Sequence, residues 1–305
     1  MKPSIKITAI VLVAIAAIAA ILYLGLSRSK NSVPEVSTGT LERYPDFPSK
    51  HIDKRTVSVW LPEGYTQGAP FDVLYMHDGQ MLFDAKTTWN HQEWMVDEVL
   101  GSMIGAGEMR PCIVVAVDNT NDRLMEYFPD KAANYLEAKP DSFTPKGDAY
   151  LRFLVEELKP FIDDTYQPLS SREHTFLMGS SMGGLISLYA LCEYPEVFGG
   201  AACLSTHSSM AHLLKGADAE LADGLRSYLK AHLPAPNSAL LYMDFGSEGY
   251  DAAYAPTQQE IDKIIREAGW DDSHYESLVF EGHDHNEKCW SERLDIPLSF
   301  LLPDN

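Results

Sequence analysis

Ser181 stands in the frame Gly179-Ser180-Ser181-Met182-Gly183. Glycines two residues away on either side permit a turn too tight for Cβ atoms, the frame of a nucleophile elbow. The residues before it, Thr175-Phe-Leu-Met178, form an apolar run of strand type, and those after it, to Ala190, have helical spacing. Ser181 is thereby expected at a helix N-terminus, where unpaired N–H groups and the helix dipole favour an oxyanion beside the hydroxyl. Ser180 has no such glycine frame.

A serine hydroxyl is a weak nucleophile until a neutral imidazole takes its proton, and a carboxylate must orient that imidazole. Two later loops hold such groups. Gly246-Ser-Glu248-Gly-Tyr-Asp251 follows an apolar run ending at Phe245, and Glu281-Gly-His283-Asp-His285 follows one ending at Phe280. Either histidine fits the role of base. Glu248, two residues past Gly246, is taken as the acid, with Asp251 the alternative and Asp244, inside the strand, third. The oxyanion donors are expected to be backbone N–H groups of Met182, directly after the serine, and of Gln80, in the loop after Met76.

Strands are expected over Arg55–Leu61, Phe71–Met76, Cys112–Val117, Gly200–Leu204, Ala239–Phe245 and Tyr275–Phe280, besides the elbow strand. Helices are expected from Trp94 to about Met103 and over Asp148–Tyr166, about Ala211–Leu233, Thr257–Ala268 and Asn286–Leu302. Strands alternating with helices imply a mostly parallel sheet covered on both faces. In such a sheet the carboxyl ends of the strands collect the functional groups, which is where the serine and both loops fall. The 28 residues from Asp118 to Pro145 lack periodicity, and a loop of that length is expected to be functional. With the loop from His77 to Trp89, its Arg123, Tyr127 and Phe128 and the neighbouring Trp89 are expected to shape the substrate pockets.

Residues 1–30 stand apart: an uncharged run from Ile7 to Leu26 lies between Lys2 and Lys6 on one side and Arg28 and Lys30 on the other. Its twenty residues span about 30 Å as a helix, enough for a bilayer core. An uncleaved signal anchor is expected, with a cleaved signal peptide as the alternative, and the domain is expected to be extracytoplasmic. Residues 31–38 read as a linker and 39–305 as the domain. The first thirty residues hold four of the 24 Lys and Arg and no acid, leaving the remainder at a formal −24. So acidic a chain excludes nucleic acid as an expected partner. Cys112, Cys192, Cys203 and Cys289 have no zinc-like spacing and are expected to be buried free thiols. A metal pair at His283 and His285 has no further ligand cluster in view.

Taken together, Val59-Trp-Leu-Pro-Glu-Gly-Tyr65, Leu74-Tyr-Met-His-Asp-Gly-Gln80, the elbow, Asp244-Phe-Gly-Ser-Glu248 and Gly282-His-Asp-His285 resemble the α/β-hydrolase esterases that include esterase D, feruloyl and enterochelin esterases and antigen 85 mycolyltransferases. The similarity spans roughly Gly39 to Pro303. It implies an α/β-hydrolase fold, with Ser181 as nucleophile, His285 rather than His283 as base, and the amides of Gln80 and Met182 as oxyanion donors. Several members carry their aspartate three residues past the glycine, where this chain has Gly249, so Glu248 or Asp251 takes that place. The resemblance implies a carboxylesterase that needs no metal or organic cofactor and acts on a small-molecule or carbohydrate-linked ester. Alternatives are an acyltransferase, a siderophore or feruloyl-carbohydrate esterase, and a membrane-tethered binding protein without catalysis.

Overall fold

A computed structural model describes residues 33–136, 143–210, 213 and 216–304. The apolar run Ile7–Leu26 lies outside the described residues, among which no helix is long and apolar enough to cross a membrane.

Eight strands form one sheet: β1 (Thr40–Phe47), β2 (Arg55–Leu61), β3 (Asp72–His77), β4 (Cys112–Val117), β5 (Thr175–Ser180), β6 (Gly200–Leu204), β7 (Leu240–Gly246) and β8 (Tyr275–Phe280). Their spatial order is β1-β2-β4-β3-β5-β6-β7-β8. From β4 to β8 all neighbours are parallel, and β2 runs antiparallel to both β1 and β4. β1 has no counterpart among the expected strands. Pro45 interrupts its pattern and its register slips between Tyr44 and Phe47, both tolerated because β1 is an edge.

β3, β4 and β5 are buried throughout, as continuous apolar runs covered on both faces must be. Alternate side chains separate two cores. Val73, Tyr75, Val115 and Leu177 face one, and Leu74, Met76, Val114 and Met178 face the other. The first core is closed by α3 (Gly147–Arg152), α4 (Lys159–Tyr166), α5 (Met182–Glu193), α6 (Asp218–His232) and α7 (Ala255–Glu267); α1 (Val96–Ala106) and α9 (Asp295–Leu301) cover the second. α3 and α4 are joined by a π-helical turn, Phe153–Leu158, within the single helix expected there. The short α2 (Arg123–Glu126) lies in the long loop. The last expected helix is two, α8 (Glu287–Ser291) and α9, because Pro297 is tolerated only in a first turn.

Residues 35–38, expected as a linker, are bonded to the domain. Glu35 N–H donates to Asp84 Oδ2 at 3.1 Å, and Ser37 and Thr38 N–H donate to Asp97 Oδ2 at 2.5 and 3.3 Å. Asp97 is fully buried, and burial pushes its carboxyl up to about 7.

Candidate active site

β5 ends at Ser180 and α5 begins at Met182, so Ser181 alone makes the turn, with φ 57° and ψ −121°. Positive φ in a non-glycine residue costs on the order of 1–3 kcal/mol and persists only where the surroundings enforce it. Here Ser181 N–H donates to Leu204 O at 2.9 Å, and Ser181 O accepts from Leu185 and His207 N–H, both at 3.1 Å. A Cβ at Gly179 would lie 2.7 Å from backbone atoms of Gly183, so strand and helix approach this closely only without side chains there.

β7 and β8 pair in register as far as Gly246 and Phe280, which sets the two following loops side by side. His285 Nδ1 and Asp251 Oδ1 are 2.6 Å apart. Asp251 is fully buried, and its Oδ2 accepts from Gly246 N–H at 2.8 Å and Ser205 Oγ–H at 2.5 Å. Burial pushes this carboxyl up, but the hydrogen bonds from His285 and Ser205 outweigh it and hold Asp251 below the usual carboxylate range.

Asp251, not Glu248, is therefore the carboxylate that meets His285. Glu248 is exposed, and its N–H donates to His283 O at 2.9 Å. At Gly249 φ is +52° and a Cβ would stand 1.9 Å from Asp284 Oδ1. The chain carries past this blocked position into a 3-10 turn, Asp251–Ala253, whose first side chain points inward.

Ser205 Oγ also accepts from Trp290 Nε1 at 2.9 Å and Arg293 Nη2 at 3.0 Å. Arg293 in turn donates to Asp244 Oδ1 and Oδ2, at 2.8 and 3.1 Å, a pair with side chains 1% and 0% exposed. Tyr242 OH and Ser205 N–H complete the partners of Asp244. Asp244, the third candidate acid, is thus committed to Arg293. His283 Nδ1 contacts Cys289 O and Arg293 Nη1, each at 3.2 Å, and His283 does not reach the serine's cavity.

Gln80 lies in a 3-10 turn, Gly79–Met81, directly after β3. Its Oε1 accepts Asn119 N–H at 3.1 Å, so its side chain braces the loop. Asp78, at φ 57°, receives Arg123 through two bonds of 2.6 Å and Asn119 Nδ2 at 2.5 Å. Burial raises the Asp78 carboxyl, and the Arg123 charge together with the hydrogen bonds from Arg123 and Asn119 more than offsets this, leaving it below its ordinary range. Arg123, expected in a substrate pocket, lines the cavity that holds Ser181 and also clamps the Gln80 loop through Asp78. Met182 is the first residue of α5, whose first N–H groups have no intrahelical acceptor. Tyr127 and Phe128 are core residues, and Trp89 is 78% exposed.

Ser181, His285, Gln80 and Trp89 line one cavity of about 720 Å³, with Asn90, Gln92, Asn119, Glu287 and Trp290 among the others around it. Tyr254 was not singled out from sequence, yet its hydroxyl hydrogen-bonds the Ser181 side chain and, at 2.9 Å, His207 Nδ1. Ser205, Trp290 and Arg293 were missed as well. No local pattern marks them, because each serves the site through a partner more than thirty residues away.

The family model described as "Putative esterase" matches residues 50–300. The chain belongs to this esterase family. The esterase is 23% identical over 264 residues to the uncharacterized protein YbbA of Bacillus subtilis, covering 82% of this chain and 94% of that one. Its fold resembles a ferulic acid esterase, with TM-score 0.64 and 18% identity over 88% of this chain and 98% of the other. It also resembles the enterobactin esterase of Shigella flexneri, with TM-score 0.63 and 20% identity over 88% of this chain and 60% of the other. As a member of that family the protein is a carboxylesterase, with an eight-stranded mixed sheet of the α/β-hydrolase kind.

Proposed function

We propose that the esterase hydrolyses carboxylic esters through Ser181, His285 and Asp251. The observation that carries this is the 2.6 Å contact between His285 Nδ1 and a buried Asp251, with the same imidazole sharing a cavity with a serine on a strained elbow. Ser181 Oγ attacks the ester carbonyl carbon while His285 Nε2 takes its proton. Negative charge on the carbonyl oxygen is met by the backbone N–H groups of Gln80 and Met182. The tetrahedral adduct collapses, the C–O bond to the alcohol breaks, and His285 returns the proton to the leaving oxygen. Water, deprotonated by His285, then attacks the acyl-Ser181 carbonyl, releasing the carboxylate and restoring the serine.

The cavity supports a neutral substrate. Its charged lining residues include the mutually neutralised Asp78–Arg123 pair and Glu287, whose Oε2 already accepts Asn90 Nδ2 at 2.7 Å. Among the described residues its wall carries no spare cation, which suits uncharged esters whose alcohol part presents hydroxyls to Asn90, Gln92 and Asn119 and a flat face to Trp89. A strongly anionic siderophore chelate would meet net negative charge there.

Purified Ser181→Ala should lose turnover of a short-chain nitrophenyl ester and labelling by a fluorophosphonate, while wild type retains both; undiminished turnover in the variant overturns the assignment. A pair of feruloyl esters with neutral sugar and with anionic alcohol parts tests the substrate class, the neutral ester being expected to have the higher kcat/KM.

A further inference from the structure

The loop that carries His285 continues into α8, and the side chains around it gather a second set of groups. A ring nitrogen of His283, Cys289 Sγ and a carboxylate oxygen of Glu292 lie within 4.8 Å of one another. Cys289 and Glu292 are three residues apart, which places them on one face of a helical turn. His283 reaches them from the preceding loop. Asn286 sets that geometry as the N-cap of α8, its Oδ1 accepting Cys289 N–H at 3.0 Å.

These groups have the chemistry of a thiophilic metal site. Imidazole, thiolate and carboxylate are the donors of zinc, with bonds of about 2.0–2.3 Å. Atoms that lie mutually within 4.8 Å surround a single centre toward which an ion can draw them. The surroundings supply the outer interactions such a site uses. Asp284 N–H donates to Cys289 Sγ at 3.3 Å, and His283 Nδ1 lies 3.2 Å from both Cys289 O and Arg293 Nη1, contacts that fix the orientation of the ring. Glu292 is exposed and its nearest cation, Lys288 Nζ, is 3.8 Å away, a contact easily given up. Cys289 is only half-buried, against the expectation from sequence, whereas Cys112, Cys192 and Cys203 are buried.

We infer that His283, Cys289 and Glu292 form a three-ligand site for a zinc-like divalent ion, with a fourth position open to water. The site uses neither Ser181 nor Asp251. Its ligands bracket His285 in sequence, two residues before and four after, so the ion ties the loop bearing the imidazole to α8.

Calorimetric titration of the full chain with zinc chloride should show one ion per chain, and magnesium chloride should show none, since magnesium prefers oxygen donors. Outer-shell changes at metal sites cost roughly 10–100-fold in affinity, so Cys289→Ala or His283→Gln should weaken zinc binding at least that much. On wild-type protein, stoichiometric zinc should slow alkylation of the single accessible thiol, a readout that needs no variant to fold. Zinc binding undiminished in Cys289→Ala, or a Cys289 thiol that alkylates equally fast with zinc, overturns the site.

Discussion

His285 Nδ1 donates to Asp251 Oδ1 across 2.6 Å, joining loops that follow neighbouring strands β7 and β8. The carboxylate can only accept, so this contact places the proton on Nδ1 and leaves Nε2 as the basic nitrogen.

Asp251→Asn should therefore lower kcat by about 10⁴-fold, because an amide can present N–H to Nδ1 and select the wrong tautomer. Glu248→Gln should leave kcat within about twofold, its side chain being in solvent. Steady-state kinetics of the pair decide between the two carboxylates; a collapse in Glu248→Gln alone would reverse the assignment.

Ser205 is a positioning residue. Its hydroxyl donates to Asp251 and accepts from Trp290 and Arg293, so Ser205→Ala weakens the hold on Asp251 and leaves two buried donors short of an acceptor. A lost hydrogen bond of about 1–1.5 kcal/mol corresponds to about tenfold in kcat, expected with KM unchanged. Chemical denaturation should show about 1–3 kcal/mol less stability. Equal kcat in Ser205→Ala and wild type would remove the residue from this role.

Gly249→Ala places a methyl group on the Asp284 carboxylate, whose Oδ1 accepts His285 N–H at 2.6 Å and Tyr250 N–H at 3.1 Å. The fold should survive, since the clash is between two partly exposed loops. A displacement of His285 on the order of 1 Å should cost up to about 100-fold in turnover. Circular dichroism and kinetics on one preparation separate the two effects, and unaltered turnover would show that Asp284 moves without His285.

Asp118 follows β4, and burial pushes its carboxyl up to about 7, with Arg43 opposing and Asp78 reinforcing the shift. A carboxyl raised in the folded state binds its proton more tightly than in the unfolded chain. Stability is therefore lost as pH rises from the ordinary carboxylate range through about 7. Asp118→Asn removes that penalty, and one pKa unit is about 1.4 kcal/mol. The variant should be more stable than wild type by about 1–2 kcal/mol at pH 8, with the gain vanishing near pH 4. Thermal midpoints at the two pH values check the sign.

Much of this protein is decided within short stretches of chain. The elbow is legible because Gly179 and Gly183 answer a steric demand confined to five residues. The parallel strands are legible because double burial requires unbroken apolar runs such as Cys112–Val117. β1 is not, since an edge strand is excused from that requirement and carries Pro45 and a register slip. The loops holding Asp251 and His285 follow from the strand order, yet the choice of carboxylate does not. Glu248 and Asp251 have the same chemistry, and what separates them is Gly249 lying against Asp284, thirty-five positions along the chain. Likewise Ser205 meets Asp251, Trp290 and Arg293 only because β6 and β7 pair at Leu204 and Asp244. Sequence alone determined the nucleophile's frame and the order of the groups; only tertiary contact, through packing between distant loops, decided which acid faces the imidazole.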